Sequence, residues 1–238
     1  MDQSGKNTVK AVGFMMMITL VGKLLGLVRE QLLAANYSIG AEATAFMTAS
    51  RIPRTFFDAV FASAISASFI PIFNEYLEKK GKEEAFRLSN IFVTAVGVIT
   101  CMMTVLGMVF AQPITWLFAD GFLPETAKTC AEFLRILFPT VVFTGVAFSF
   151  VGILQSLDEF TIPAAMSIVS NAIIILYYLF FDKYFGIYGL TIAFLIGWAM
   201  QAAIQVSALW KKGYRFRFDF HFQQERMKKI GRLMLPIM

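Results

Sequence analysis

Four basic residues, Lys23, Arg29, Arg51 and Arg54, lie inside two long apolar stretches, GFMMMITLVGKLLGLVREQLLAA and AFMTASRIPRTFFDAVFASAISASFIPIF. A basic side chain within a membrane span is costly unless it is paired or faces water. Four of them in two adjacent helices predict a hydrated cationic cavity inside a helical bundle. Arg51, Arg54 and Asp58 are spaced i, i+3, i+7 and share one helix face, with Arg54 and Asp58 at pairing distance along it. Lys23 and Glu30, at i, i+7, share a face about two turns apart. Arg29 is turned away from Lys23 by about 120° on an ideal helix. Glu132 and Arg135 add an i, i+3 pair further along the chain. Within the first two helices Lys23, Arg29, Arg51 and Arg54 outnumber Glu30 and Asp58. A surplus of buried positive charge favours an anionic ligand, and arginine holds phosphate in a bidentate fork. Pyrophosphate or another phosphate-bearing headgroup is therefore the expected ligand, with Glu30, Asp58, Glu132 and Arg135 as support around the cavity. The competing structural reading makes Arg54–Asp58 and Glu132–Arg135 internal ion pairs and sends Lys23 to an interface along its own stem.

The elements that must position these groups are membrane helices. The 238 residues are 58% hydrophobic with mean hydropathy +0.66, above the 45–50% apolar content typical of soluble proteins. Apolar runs of about 20 residues cross a bilayer as helix, and their lack of alternation excludes a β-barrel. The fold class is an all-α polytopic membrane protein. It is a six-helix transmembrane lobe over 1–210, with helices at 9–35, 42–73, 88–110, 127–157, 163–181 and 187–210. A basic connection follows at 211–229, and 230–238 reads as the start of a truncated seventh helix. Gly22 and Gly26 bracket Lys23 and predict a bend there, and Pro53 predicts a kink in the second helix. The first apolar run is too long and too charged for a signal peptide and reads as an uncleaved span. Fourteen of the 21 Lys and Arg fall on the side of the N-terminus, chiefly at 79–87 and 211–232, and only Lys128 and Lys183 on the other. That bias places the N-terminus in the cytoplasm.

Several classes are excluded. Cys101, Cys130 and the sole histidine, His221, form no metal-ligand spacing. No phosphate-binding loop, nucleophile elbow or zinc-protease motif is present, so neither an enzyme nor a cofactor is implied. A nucleic-acid role for the basic, phenylalanine-rich stretch KKGYRFRFDFHFQQERMKK is disfavoured beside so many spans; it reads as lying on the membrane surface. Asn171, Gln201 and Gln205 either line the cavity or hold helices together. Tyr177, Tyr178, Tyr184 and Tyr188 read as an aromatic belt, and Trp116 as an interfacial residue.

The segments VGKLLGLVREQLLAANYSIGAEATAFMTASRIPRTFF and SFIPIFNEY resemble the N-terminal half of the MurJ (MviN) family of lipid II flippases. That family belongs to the multidrug/oligosaccharidyl-lipid/polysaccharide exporter superfamily. LFPTVVF, LQSLDEFTIPA and RLMLPIM extend the resemblance over essentially the whole chain. It implies two six-helix lobes plus an extra helix pair, a central cationic cavity for a pyrophosphate–sugar headgroup, and alternation between inward- and outward-open states. By this resemblance Lys23 and the Arg29–Glu30 pair match the basic residues of the first helix, with Lys23 in place of the more usual arginine. Arg51 matches the basic residue before the second helix's proline. The family's further arginine falls on Phe57 here, with Arg54 one turn earlier, and its frequent acid falls on Thr44.

The resemblance implies a flippase moving undecaprenyl-pyrophosphate-linked peptidoglycan precursor by alternating access, driven by an ion gradient or the membrane potential, with no ion site legible. Its expected partners are the lipid-linked glycan, membrane lipids, and a missing C-terminal lobe or a second copy. Three alternatives stay open: a paralogue for another polyprenyl-linked glycan, a drug exporter, and a non-transporting scaffold. A drug exporter predicts acids in the cavity, and a scaffold predicts that neutralising the basic residues is harmless.

Overall fold

The computed structural model describes the backbone of residues 3–38, 40–58 and 68–221, with side chains from Gly13 onward. Nine helices are described: α1 Gln3–Tyr37, α2 Ala41–Phe57, α3 Ile70–Lys80, α4 Lys82–Val109, α5 Ala111–Phe118, α6 Pro124–Leu137, α7 Thr140–Ser156, α8 Thr161–Phe180 and α9 Asp182–Lys211. The described residues contain no strand. Among the described residues, four stretches are long and apolar enough to cross a membrane: Lys82–Val109, Pro124–Ser156, Thr161–Phe180 and Asp182–Lys211. The chain is an all-α polytopic membrane protein. The stretch read as the start of a seventh helix, 230–238, lies outside the described residues, as does the end of the basic connection, 222–229.

Local chemistry explains where the helices break. The charged stretch 75–87, read as a connection, is helical almost throughout, and α3 and α4 are separated by Gly81 alone. Gly81 adopts φ 85° and ψ 176°, a region essentially confined to glycine. Between α6 and α7 the break falls at Phe138–Pro139, because proline has no N–H for the helical ladder. Carbonyls beside the break take hydroxyls: Thr140 Oγ1 donates to Leu137 O at 2.6 Å, and Thr104 Oγ1, from α4, donates at 3.2 Å to Phe138 O, which also accepts the Val141 N–H at 2.9 Å. Such partners are obligatory where no water reaches the backbone. Gly186 (φ 54°, ψ −151°) breaks α9 near its start, and its carbonyl accepts from Tyr177 Oη at 2.6 Å.

α8 packs on both α1 and α9, α9 on α7, α2 on α6, and α4 on α7. The core is dense in phenylalanine. Phe69 and Phe92 stack at 4.2 Å, and Phe57, Phe73, Phe133 and Phe138 are buried with them. The outward faces of α1, α4 and α5 are apolar, including Met16, Leu20, Leu24, Met102, Val105 and Leu117, as lipid contact requires. Trp116 sits exposed on α5, within the stretch read as a loop.

The glycines of α1 do not interrupt it. A Cβ on Gly22 would lie 2.2 Å from Ser167 Oγ of α8, and one on Gly26 would lie 3.5 Å from Asn171 Nδ2. The Gly-x-x-x-Gly spacing brings two backbones together, a common device of membrane helix pairs, where the sequence alone points to a bend.

Candidate functional site

The site is built from the C-terminal half of α1, the middle of α2 and the facing sides of α8 and α9. Between them lies a cleft of about 330 Å³ whose lining includes Arg29, Glu30, Arg51, Arg54, Tyr178, Phe194 and Trp198. Three of the four basic residues read as headgroup ligands thus share one cavity.

Each arginine has a different footing. Arg29 is the most enclosed. Its Nη1 donates to Asn171 Oδ1 at 3.1 Å, its Nη2 lies 3.5 Å from Glu30 Oε1, and its guanidinium carbon sits 5.5 Å from the Phe194 ring centre. Arg54 pairs with Asp58 at 3.3 Å and stands 6.0 Å from the centre of the Trp198 ring. Arg51 has no ion-pair partner among the described residues. The i, i+3 spacing of Arg51 and Arg54 aims both from α2 into the same space. Ser50, beside them on the lining, turns its hydroxyl back to Met47 O at 3.0 Å.

Lys23 is placed elsewhere. It lines a separate surface depression further towards the start of α1, with Met15, Met16, Thr19 and Leu20. The separation is axial: Lys23 shares its helix face with Glu30, which does line the cleft, but lies two turns, about 10.5 Å, away along the helix. Glu132 and Arg135 form no ion pair among the described residues; Glu132 accepts from Tyr188 Oη at 2.6 Å, joining α6 to α9. Arg135 is exposed. Phe57, at the position where the resemblance expects an arginine, is fully buried and packs against Phe148. Thr44 turns its hydroxyl to Gly40 O at 2.9 Å.

Tyr177 and Tyr178, read as belt residues, are 7% and 8% exposed; Tyr178 lines the cleft. Tyr184 and Tyr188 are exposed. Phe194 and Trp198 belong to the cleft although no motif marks them; their i, i+4 spacing on α9 is the one visible signal for a shared aromatic face. Asn171, on α8, bonds both Arg29 and the Gly22 carbonyl of α1, while Gln201 and Gln205 serve as helix glue: Gln201 Nε2 donates to Ser170 Oγ at 2.8 Å and Gln205 Nε2 to Ala147 O at 3.1 Å.

Arginines over aromatic faces keep their forks directed without losing charge, since the ring offers a quadrupole rather than a counter-ion. Among the described residues the cleft has three guanidinium groups and one lining carboxylate beside aromatic faces, a set whose chemistry suits a polyanion with an apolar body.

A helical lobe with a cationic cleft between its helices defines the class, that of an all-α polytopic membrane protein. A family profile described as "Lipid II flippase MurJ" matches residues 34–238, and the chain belongs to the MurJ lipid II flippase family. The probable lipid II flippase MurJ of Buchnera aphidicola subsp. Acyrthosiphon pisum is 29% identical over 238 residues, covering 97% of this chain and 46% of that protein. A solved structure described as "Lipid II flippase MurJ, inward closed conformation" superimposes with TM-score 0.75 at 26% identity, covering 93% of this chain and 46% of the other. The Vibrio cholerae MATE transporter VcmN in its bent form superimposes with TM-score 0.75 at 15% identity, covering 99% of this chain and 54% of the other; that likeness concerns the fold alone. The chain spans about half the length of the curated relatives it matches.

Proposed function

We propose that this chain supplies one lobe of a lipid II flippase in the bacterial cytoplasmic membrane, with its N-terminus in the cytoplasm. The substrate is an undecaprenyl-pyrophosphate-linked peptidoglycan precursor, carried from the inner to the outer leaflet by alternating access. The observation that carries this reading is the convergence of Arg29, Arg51 and Arg54 on one cleft where Glu30 is the single lining carboxylate among the described residues. Cations in excess disfavour a cationic drug as cargo and favour a diphosphate, whose charge the arginines take up by paired N–H bonds. The aromatic faces of Tyr178, Phe194 and Trp198 give the adjoining sugar ring an apolar wall. In this reading the cleft is closed from the far side by a second lobe or a second copy, and an ion gradient or the membrane potential drives the cycle. In this reading Lys23 lies outside the headgroup cleft.

The test is complementation in cells depleted of their lipid II flippase, using the native protein. Arg29→Ala is expected to abolish growth at unchanged membrane abundance. Full growth with Arg29→Ala removes Arg29 from the transport path and with it the main support for this reading.

A further inference from the structure

Asn171 sits on α8, 6% exposed, with both ends of its amide engaged across a helix boundary. Its Oδ1 accepts from Arg29 Nη1 at 3.1 Å and its Nδ2 donates to Gly22 O at 3.1 Å. The two bonds fix the amide's orientation, because only the nitrogen donates and only the oxygen accepts. α8 comes close enough for this because Gly22 and Gly26 present no side chain to it. Arg29 is thereby held over the Phe194 ring at 5.5 Å, with its remaining N–H groups left to the cleft.

The residue type carries the point. A buried arginine is usually matched by a carboxylate, which orients it and cancels its charge together. Asparagine orients the guanidinium through a neutral oxygen and leaves the charge uncancelled. Glu30, the other partner, lies at 3.5 Å and its side chain is 68% exposed, so solvent weakens its compensation.

We propose that Asn171 is the positioning residue that sets the anion preference of the cleft, a neutral clamp aiming Arg29 at the diphosphate without neutralising it. This rests on the flippase reading above and deepens it. Asn171→Asp would keep an acceptor for Arg29 but place a full negative charge beside it, competing with the ligand. Asn171→Leu would keep the bulk and remove both bonds, freeing Arg29 to leave the ring.

The experiment measures binding of geranylgeranyl diphosphate, with geranylgeraniol as the uncharged control, to the native protein in lipid nanodiscs. Four proteins are compared beside the unaltered one: Asn171→Leu, Asn171→Asp, Arg29→Gln, and Arg29→Gln combined with Asn171→Leu. Melting temperature is followed for each. The expected result is roughly tenfold weaker diphosphate binding for both Asn171 variants, the size of a lost or opposed charged hydrogen bond. Geranylgeraniol binding is unchanged, and Asn171→Leu adds nothing once Arg29 is glutamine. A loss of binding that persists in the Arg29→Gln background, or that follows the melting temperature across the series, overturns the clamp and leaves Asn171 as helix glue. Diphosphate binding by Asn171→Asp equal to that of the unaltered protein overturns it as well. If Arg29→Gln weakens binding and Asn171→Leu does not, the clamp fails and the flippase reading stands. If the unaltered protein does not prefer the diphosphate to the alcohol, the flippase reading fails and the clamp with it.

Discussion

Three arginines share one cleft, yet their surroundings give them unequal roles. Arg29 is locked by Asn171 and Phe194, Arg54 is half-committed to Asp58, and Arg51 has no carboxylate partner among the described residues. Arg51 is therefore the group most open to an incoming anion, and Arg29 the one whose aim is fixed beforehand. Replacing Phe194 with leucine keeps the bulk and removes the ring quadrupole. The expected cost is about 0.5–2 kcal/mol in diphosphate affinity, read by titration, with no change in expression; an unchanged affinity would mean the ring is packing only. The arginines are legible in the sequence as a cluster, because a charge inside an apolar run must be paired or hydrated. Lys23 groups with them on spacing alone, since spacing along a helix says nothing of which neighbour each face meets. The aromatic walls are less visible: phenylalanine and tryptophan in a chain with 26 Phe carry no distinguishing signal until α9 stands beside α1 and α2.

Between the helices, small residues and hydroxyls decide where the chain bends. A Cβ on Gly107 would lie 2.1 Å from the Phe138 ring, which is itself 2% exposed at the α6–α7 break. Gly107→Ala should cost about 1–3 kcal/mol by overpacking, seen as a lower melting temperature; an unaltered melting temperature would show that the ring has room to move. The glycine-only backbone at Gly186 gives a second expectation, a penalty of about 1–3 kcal/mol for Gly186→Ala, checked in the same assay. Pro53 reads as a kink in the second helix, and α2 continues through it, whereas the stretch 127–157, read as one helix, is broken at Pro139. The charged stretch 75–87 has the composition of a loop, yet it folds as helix on either side of Gly81, and that single glycine makes the turn.

Across the molecule as a whole, an extended strap at 214–221 runs back along α4. The Arg217 N–H donates to Asn90 Oδ1 at 3.2 Å and the Asp219 N–H to Thr94 Oγ1 at 3.1 Å. A two-residue step in extended chain, about 6.6 Å, nearly matches the four-residue rise of about 6.0 Å along a helix, so alternate strap amides meet successive turns. Tyr214 anchors it at 1% exposure, edge-on to Phe86. Composition alone lays this strap on the membrane surface, since partners 127 and 125 residues away leave no mark in local sequence. Burial pushes the Asp219 carboxyl up, but the hydrogen bonds and charge from His221, with Arg87 3.9 Å away, outweigh it and hold the group below the ordinary carboxylate range. A depressed acid contributes stability above its unfolded pKa, and that contribution is lost as pH falls through the folded value. Amide protection at Arg217 and Asp219, measured by hydrogen exchange, is expected to hold near neutrality and to fall on acidification below about pH 4. In Asp219→Asn it should be lower at neutrality and flat with pH; a flat profile in the unaltered protein would contradict this.

The central claim is that the cleft of α1, α2, α8 and α9 recognises the diphosphate of a lipid-linked glycan. The most direct measurement is the affinity of the native protein in nanodiscs for undecaprenyl-diphosphate-linked precursor, compared with a form carrying Arg29→Gln, Arg51→Gln and Arg54→Gln together. Loss of three charge-assisted contacts at roughly 1.5–3 kcal/mol each predicts a fall of at least about a thousandfold at unchanged melting temperature. Equal affinity in the two proteins would place the headgroup elsewhere and contradict the account.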